Sequence, residues 1–110
     1  MNVGQFTEKF GLNIMTGKAN LNKEIKGVCI CDLLSWVMSH AKTGDIWITV
    51  LTNLNVVAVA ALTDVACIIV PEGLSVEEAT LKRAEAEGVV ILGTDMDSYS
   101  ICKRAVEAGI

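Results

Sequence analysis

Four short stretches of this chain, Val28–Cys31, Ile46–Leu51, Val65–Val70 and Val89–Leu92, are apolar at nearly every position and rich in β-branched residues. A strand with one solvated face alternates apolar and polar side chains, so a strand apolar throughout needs cover on both sides. The segments between these runs carry helical spacing or helix-end signals, and helices supply that cover. The expected fold is α/β: a three-layer α/β/α arrangement around a mostly parallel sheet of about five strands. With 110 residues and no linker, repeat or low-complexity stretch, one domain over residues 1–110 is expected.

Local signals place the other elements. Val3, Phe6 and Phe10 recur at helical spacing and Gly11 stops that helix; Leu12–Thr16 reads as a strand ended by the turn-rich Gly17–Asn20. Asp32 is the expected N-cap of a helix running to Ala41, and Lys42–Asp45 is a turn. Thr52–Asn55 breaks the third strand before a short helix, Val56–Leu62. Pro71–Gly73 closes the fourth strand, and Ser75-x-x-Glu78 reads as a capping box for a helix ended by Gly88. Its glutamates, Glu77, Glu78, Glu85 and Glu87, are expected on one solvated face. Thr94–Asp97 offers N-caps for a last helix with the apolar stripe Tyr99, Cys102, Ala105 and Val106.

Composition narrows the partners. Mean hydropathy is high at +0.48. Yet the longest unbroken apolar run, Val56–Leu62, falls far short of the about 20 residues a spanning helix needs, so no membrane partner is expected. Nine basic against thirteen acidic residues give a net charge of −4. No Lys/Arg cluster exists to displace counterions from phosphates, which argues against nucleic acid. The start MNVGQFTEKFG has neither the basic opening nor the apolar stretch of a secretory signal, so a cytoplasmic, reducing setting is expected. The cysteines at 29, 31, 67 and 102 are then expected to be free. Cys29 and Cys31 would share a strand face and could chelate a metal, but Cys67 and Cys102 are isolated, and small buried hydrophobes are the preferred reading. No metal or cofactor is expected.

Three motif look-alikes fail on spacing. Gly11-LNIMT-Gly17-Lys18-Ala19 has five residues between its glycines where a phosphate-binding loop has four. Ala19 also replaces the metal-binding Ser/Thr, and the strand lies where the loop should be. Ser39-His40-Ala41-Lys42 and Lys42-Thr43-Gly44 overlap at one helix end, whereas penicillin-recognising enzymes carry such motifs on separate elements. His40 is the only histidine, sits late in its helix, and has no paired nucleophile and acid in sequence. No catalytic residue is assigned and no enzymatic activity is expected.

Two further features suggest contacts. On a helical wheel Leu33, Leu34, Val37, Met38 and Ala41 form one apolar sector, and Trp36 falls outside it, as an interface anchor or a side chain tucked under a loop. Val56–Leu62 is apolar all round and needs cover on two sides; a second copy of the chain is the economical second cover. A homodimer interface including Trp36, Val56, Val59 and Ala60 is therefore expected. In open α/β sheets ligands collect at the carboxyl ends of strands. Asp32, Thr52, Asn53, Asn55 and Asp95 occupy such turns, either as ligand-binding residues or as caps.

The stretch Gly44-DIWITVLTNLNVVAVAALTDVACIIVPEG, followed by a helix, VVILGTDMDSYS and a last helix, resembles a DRTGG domain. Upstream, CDLLSWVMSHAKTGD resembles the short free-standing members of that family, so the likeness covers about residues 1–108. Thr52–Asn55, aligned with the polar segment that names the family, holds neither Asp nor Arg. The resemblance implies a fold similar to the N-terminal domain of HPr kinase/phosphorylase without its catalytic domain. It also implies an accessory or regulatory role, with free-standing members accompanying hydrogenase and redox or sensor signalling proteins. The expectation is a dimeric regulatory or scaffolding domain with an unidentified protein partner. The alternative is a sensor of an adenine nucleotide or phosphorylated metabolite, and an enzyme is the third possibility.

Overall fold

Three of the four runs apolar on both faces become doubly covered strands; Val28–Cys31, at the edge of the sheet, is only half-buried and leaves Ile30 exposed. In the computed structural model, which describes all 110 residues, β3 (Asp45–Ile48) and β4 (Cys67–Val70) are buried at every position. β2 (Gly27–Ile30) and β5 (Ile91–Gly93) flank them in parallel, and β1 (Asn13–Thr16) closes the sheet antiparallel to β5, in the order β1-β5-β4-β3-β2. The mostly parallel five-stranded sheet flanked by helices is the architecture expected.

The helices divide by face. α2 (Leu34–His40), α3 (Asn55–Thr63) and α4 (Glu78–Glu87) connect sequentially adjacent parallel strands, and all three contribute to one core cluster with Trp47, Ile68 and Ile91. Crossovers of one hand put successive helices on the same face when the strand order never reverses. α1 (Val3–Phe10) and α5 (Ser98–Glu107) form the opposite layer with Ile46, Ile48, Ile69 and Leu92. α1 opens with an Asn2–Gln5 capping box and ends, as expected, at Gly11 in the left-handed conformation. Gly88 ends α4 in the same way. No helix is long and apolar enough to cross a membrane.

Several local expectations fail for identifiable reasons. The Ser75–Glu78 capping box does not form: Val76 is drawn into the core, so the chain stays extended and α4 begins only at Glu78, with Glu77 at the cap. Asp32 caps no helix, because Leu33 is the N-cap of α2 and makes no side-chain bond. In α2 only Val37 is fully buried; Leu33 and Met38 of the expected apolar sector are exposed. In α5 the core side is Ile101 and Ala105, so Tyr99 and Val106 of the expected stripe face solvent. Asp97 caps this helix, accepting from Ser100 N at 2.8 Å, which pulls its pKa down.

The all-apolar α3 is covered by its own chain. Val56, Val57, Val59 and Ala60 are buried against the sheet, α2 and α4. At 100° per residue they occupy a sector of roughly 160°. The opposite side is Ala58, Ala61 and Leu62. The interface role expected for Val56, Val59 and Ala60 therefore does not hold in this fold, since none of them reaches the surface.

Candidate functional site

The carboxyl ends of the four parallel strands lie on one edge of the sheet, and all five candidate ligand-binding residues follow them. They do not form one group. Asp32 follows β2 and Asp95 follows β5, three strand spacings or roughly 14 Å apart. Asp32 joins instead the loop after the neighbouring β3. Its Oδ1 accepts from Thr49 Oγ1 at 2.8 Å and from Val50 N at 2.9 Å, while Thr49 Oγ1 accepts from Leu51 N at 3.1 Å. The Trp47 indole fixes the same corner by donating to the Cys31 carbonyl at 3.0 Å.

The 52–55 turn is braced from both sides. Thr80, fully buried on α4, donates to the Thr52 carbonyl at 2.9 Å. Asn53 folds back so that its Oδ1 accepts from Asn55 N at 3.0 Å, and its carbonyl accepts from Val56 N at 3.2 Å. These contacts occupy the first amides of α3. The amides of Thr52, Asn53 and Leu54, by contrast, have no partner in the chain. Asn55 itself is the exposed first residue of the helix.

Asp95 belongs to a separate open cavity of about 480 Å³ between β1, β5 and the loop after β4. Phe10, Met15, Leu74 and Met96 supply its apolar side chains, and Asn13, Thr94 and Asp95 its polar ones. Trp36 is 53% exposed and stacks on His40, ring centroids 3.8 Å apart and 7° from parallel. His40 Nδ1 lies 2.9 Å from the Trp36 carbonyl and 2.8 Å from Ser39 Oγ, so its polar contacts stay within its own helix turn.

The cysteines sit at unequal depths. Cys67 is fully buried and its thiol is pushed up to about 12 by that burial. Cys29 and Cys31 share the face of β2 that packs under α2, and burial, then Asp45, then Cys31 raise the Cys29 pKa. Burial also raises Cys102.

Sequence reasoning missed two braces. Glu85, read as purely solvated, accepts from Gly17 N at 2.9 Å, and Thr16 Oγ1 donates to the Val89 carbonyl at 2.8 Å. Both span about seventy residues, beyond the reach of any local pattern. The β-branched, hydroxyl-bearing Thr16 at the end of an apolar run was the one available hint.

No curated protein sequence matches the chain significantly. Among solved structures it is similar to the CBS and DRTGG domains of the regulatory region of a Clostridium perfringens pyrophosphatase, solved with the activator diadenosine tetraphosphate. The TM-score is 0.77 at 15% identity, over 97% of this chain and 46% of that one. This chain thus spans under half the length of that structure, and the likeness is one of fold. The sequence itself matches the DRTGG domain over residues 6–108, nearly its whole length, and the chain belongs to the DRTGG domain family.

Proposed function

We propose that this chain is a non-catalytic regulatory domain that works as a homodimer. The observation supporting it most directly is the use made of the polar side chains along the carboxyl edge. Asp32, Thr49 and Thr80 each hold one loop against another element, and Asn53 shapes its own turn. Groups locked in this way set the geometry of an edge and leave little for proton transfer or nucleophilic attack. The family resemblance adds a protein partner from hydrogenase or redox signalling systems to the same reading.

A nucleotide-sensing role is the second reading, and one specific feature favours it. The three unpartnered amides of Thr52–Leu54 stand at the start of α3, where backbone N–H groups suit an anion. The structurally similar pyrophosphatase regulatory region was solved with a dinucleotide activator, which supports nucleotides as the first ligands to test. Thermal unfolding with AMP, ATP and diadenosine tetraphosphate at millimolar concentration tests it. A ligand at about 100 times its Kd adds about 2.7 kcal/mol, a readily measured rise in Tm. Asn53→Asp should diminish that rise by setting a carboxylate beside the amides. If none of the three nucleotides moves Tm, the sensor reading falls and the ligand-independent regulatory domain stands.

A further inference from the structure

β2 ends the sheet, with one edge on β3 and the other open. Cys31 N donates to the Ile48 carbonyl at 3.4 Å in a register that sets Ile30 beside Ile48. In a parallel ladder alternate residues serve a given neighbour, so Cys29 and Cys31 hold β3 while the N–H and C=O groups of Val28 and Ile30 face outward. Such a row fits one kind of partner, another strand, and proteins usually mask it with charge, a bulge or a proline. The other edge of this sheet is masked: β1 carries a register shift between Ile14 and Thr16 and exposes Asn13. β2, with the sequence Gly-Val-Cys-Ile, has none of these devices, and Ile30 is 56% exposed. Leu33 and Trp36 continue the exposed apolar surface just beyond it.

The charges flanking this strand say what covers it. Lys26 lies three residues before Cys29 and Asp32 three residues after, with only uncharged residues between. Lys26 has no ion pair in its own chain, and Asp32 engages only Oδ1, leaving Oδ2 available. We propose that a second copy of this chain pairs its β2 antiparallel to this one about a twofold axis at Cys29, joining the two sheets into one. That register sets Lys26 opposite Asp32 of the second copy, twice, and Val28 opposite Ile30, also twice. The Val28–Ile30 pairs exchange the outward hydrogen bonds, and Cys29 meets Cys29 in the closely spaced, non-hydrogen-bonded position. A slip of one residue destroys both ion pairs and turns the outward groups out of phase, so the charges select the register. This interface rests on the homodimer reading above and specifies its surface.

Light scattering and sedimentation of the full chain under reducing conditions test it. The expected mass is twice the 11.7 kDa of the chain. Lys26→Asp places like charges opposite each other twice and should raise the dimer dissociation constant at least tenfold. Ile30→Pro removes an outward N–H without touching the β3 ladder and should give folded monomer, with circular dichroism confirming the fold. Mild oxidation of the Cys31→Ser/Cys102→Ser variant should yield a disulfide-linked dimer, since the close pair at Cys29 lies within bonding geometry. If Ile30→Pro fails to fold, the Lys26→Asp and cross-linking results decide. A monomeric unmodified chain overturns both this interface and the homodimer. A dimer indifferent to Lys26→Asp and not cross-linked through Cys29 overturns the interface alone.

Discussion

Helix α3 offers a direct measurement of which side of an all-apolar segment carries the packing. Val56 is 1% exposed and Leu62, six residues later, is 67% exposed. Val56→Ala removes two methyl groups from a filled site. At about 0.8 kcal/mol per group the transfer term is about 1.6 kcal/mol, and the unfilled space raises it to about 2.5 kcal/mol. Alanine's better helix propensity returns about 0.5 kcal/mol, for a net loss of about 2 kcal/mol. In a domain of this size that lowers Tm by roughly 10 °C. Leu62→Ala removes more carbon from the same helix but from water, and should stay within about 0.5 kcal/mol. Urea unfolding at several protein concentrations separates the two variants and shows whether either effect depends on association. A Leu62→Ala loss as large as that of Val56→Ala, growing on dilution, would falsify coverage of α3 by its own chain.

Three other substitutions probe the packing of the fold. Gly17 has φ +82°, and an added Cβ would lie 2.7 Å from Val90 Cα, so Gly17→Ala should cost about 3 kcal/mol in urea unfolding. Gly11→Ala, at φ +67° with nothing within 4 Å, should cost only about 1 kcal/mol, and equal costs would remove the close approach to Val90 as the cause. Cys67, pushed up to about 12 from an ordinary 9.0, favours the folded state only while its thiol stays protonated. That contribution is full below pH 9, where both states hold the proton, and drains between pH 9 and 12 as the unfolded thiol ionises first. The stability difference between wild type and Cys67→Ala should therefore narrow above pH 9, and a constant difference from pH 7 to 11 would show that burial does not perturb this thiol.

What the sequence makes legible is what depends on neighbours in sequence. β3 and β4 declare themselves because double-sided burial leaves no polar position in them beyond Asp45 at the start of β3, and Gly11 and Gly88 end their helices by a conformation that needs no tertiary partner. Asp32 defeats the local reading because its partners, Thr49 and Val50, lie seventeen and eighteen residues away. A carboxylate before a helix looks like a cap until the neighbouring loop competes for it. α3 misleads for a different reason. Ala58 and Ala61 count as apolar in a pattern, yet a methyl group facing water costs little, so the helix needs no second cover. Tyr99 and Val106 share the spacing of a core stripe, but Ile101 and Ala105 share it too, and only the position of the sheet chooses between them. The carboxyl edge was legible as the place where polar turns gather. The strand order was not, and that order joins Asp32 to the 49–55 loop and leaves Asp95 in a separate cavity.

The antiparallel ladder between β1 and β5 bears on how the chain reaches this fold. β3, β4 and β5 are each laid beside the strand before them, so each of these steps closes a short loop through one helix. β1 must instead wait for a partner about eighty residues further along, Asn13 meeting Gly93. The entropy of closing so long a loop is offset only once β5 is already in place. The first strand made is thus the last to pair, and until then Val3, Phe6 and Leu12, all buried in the finished structure, stay in water. During synthesis that amino-terminal segment is the part of the nascent chain most open to capture by a chaperone or by another unfinished copy.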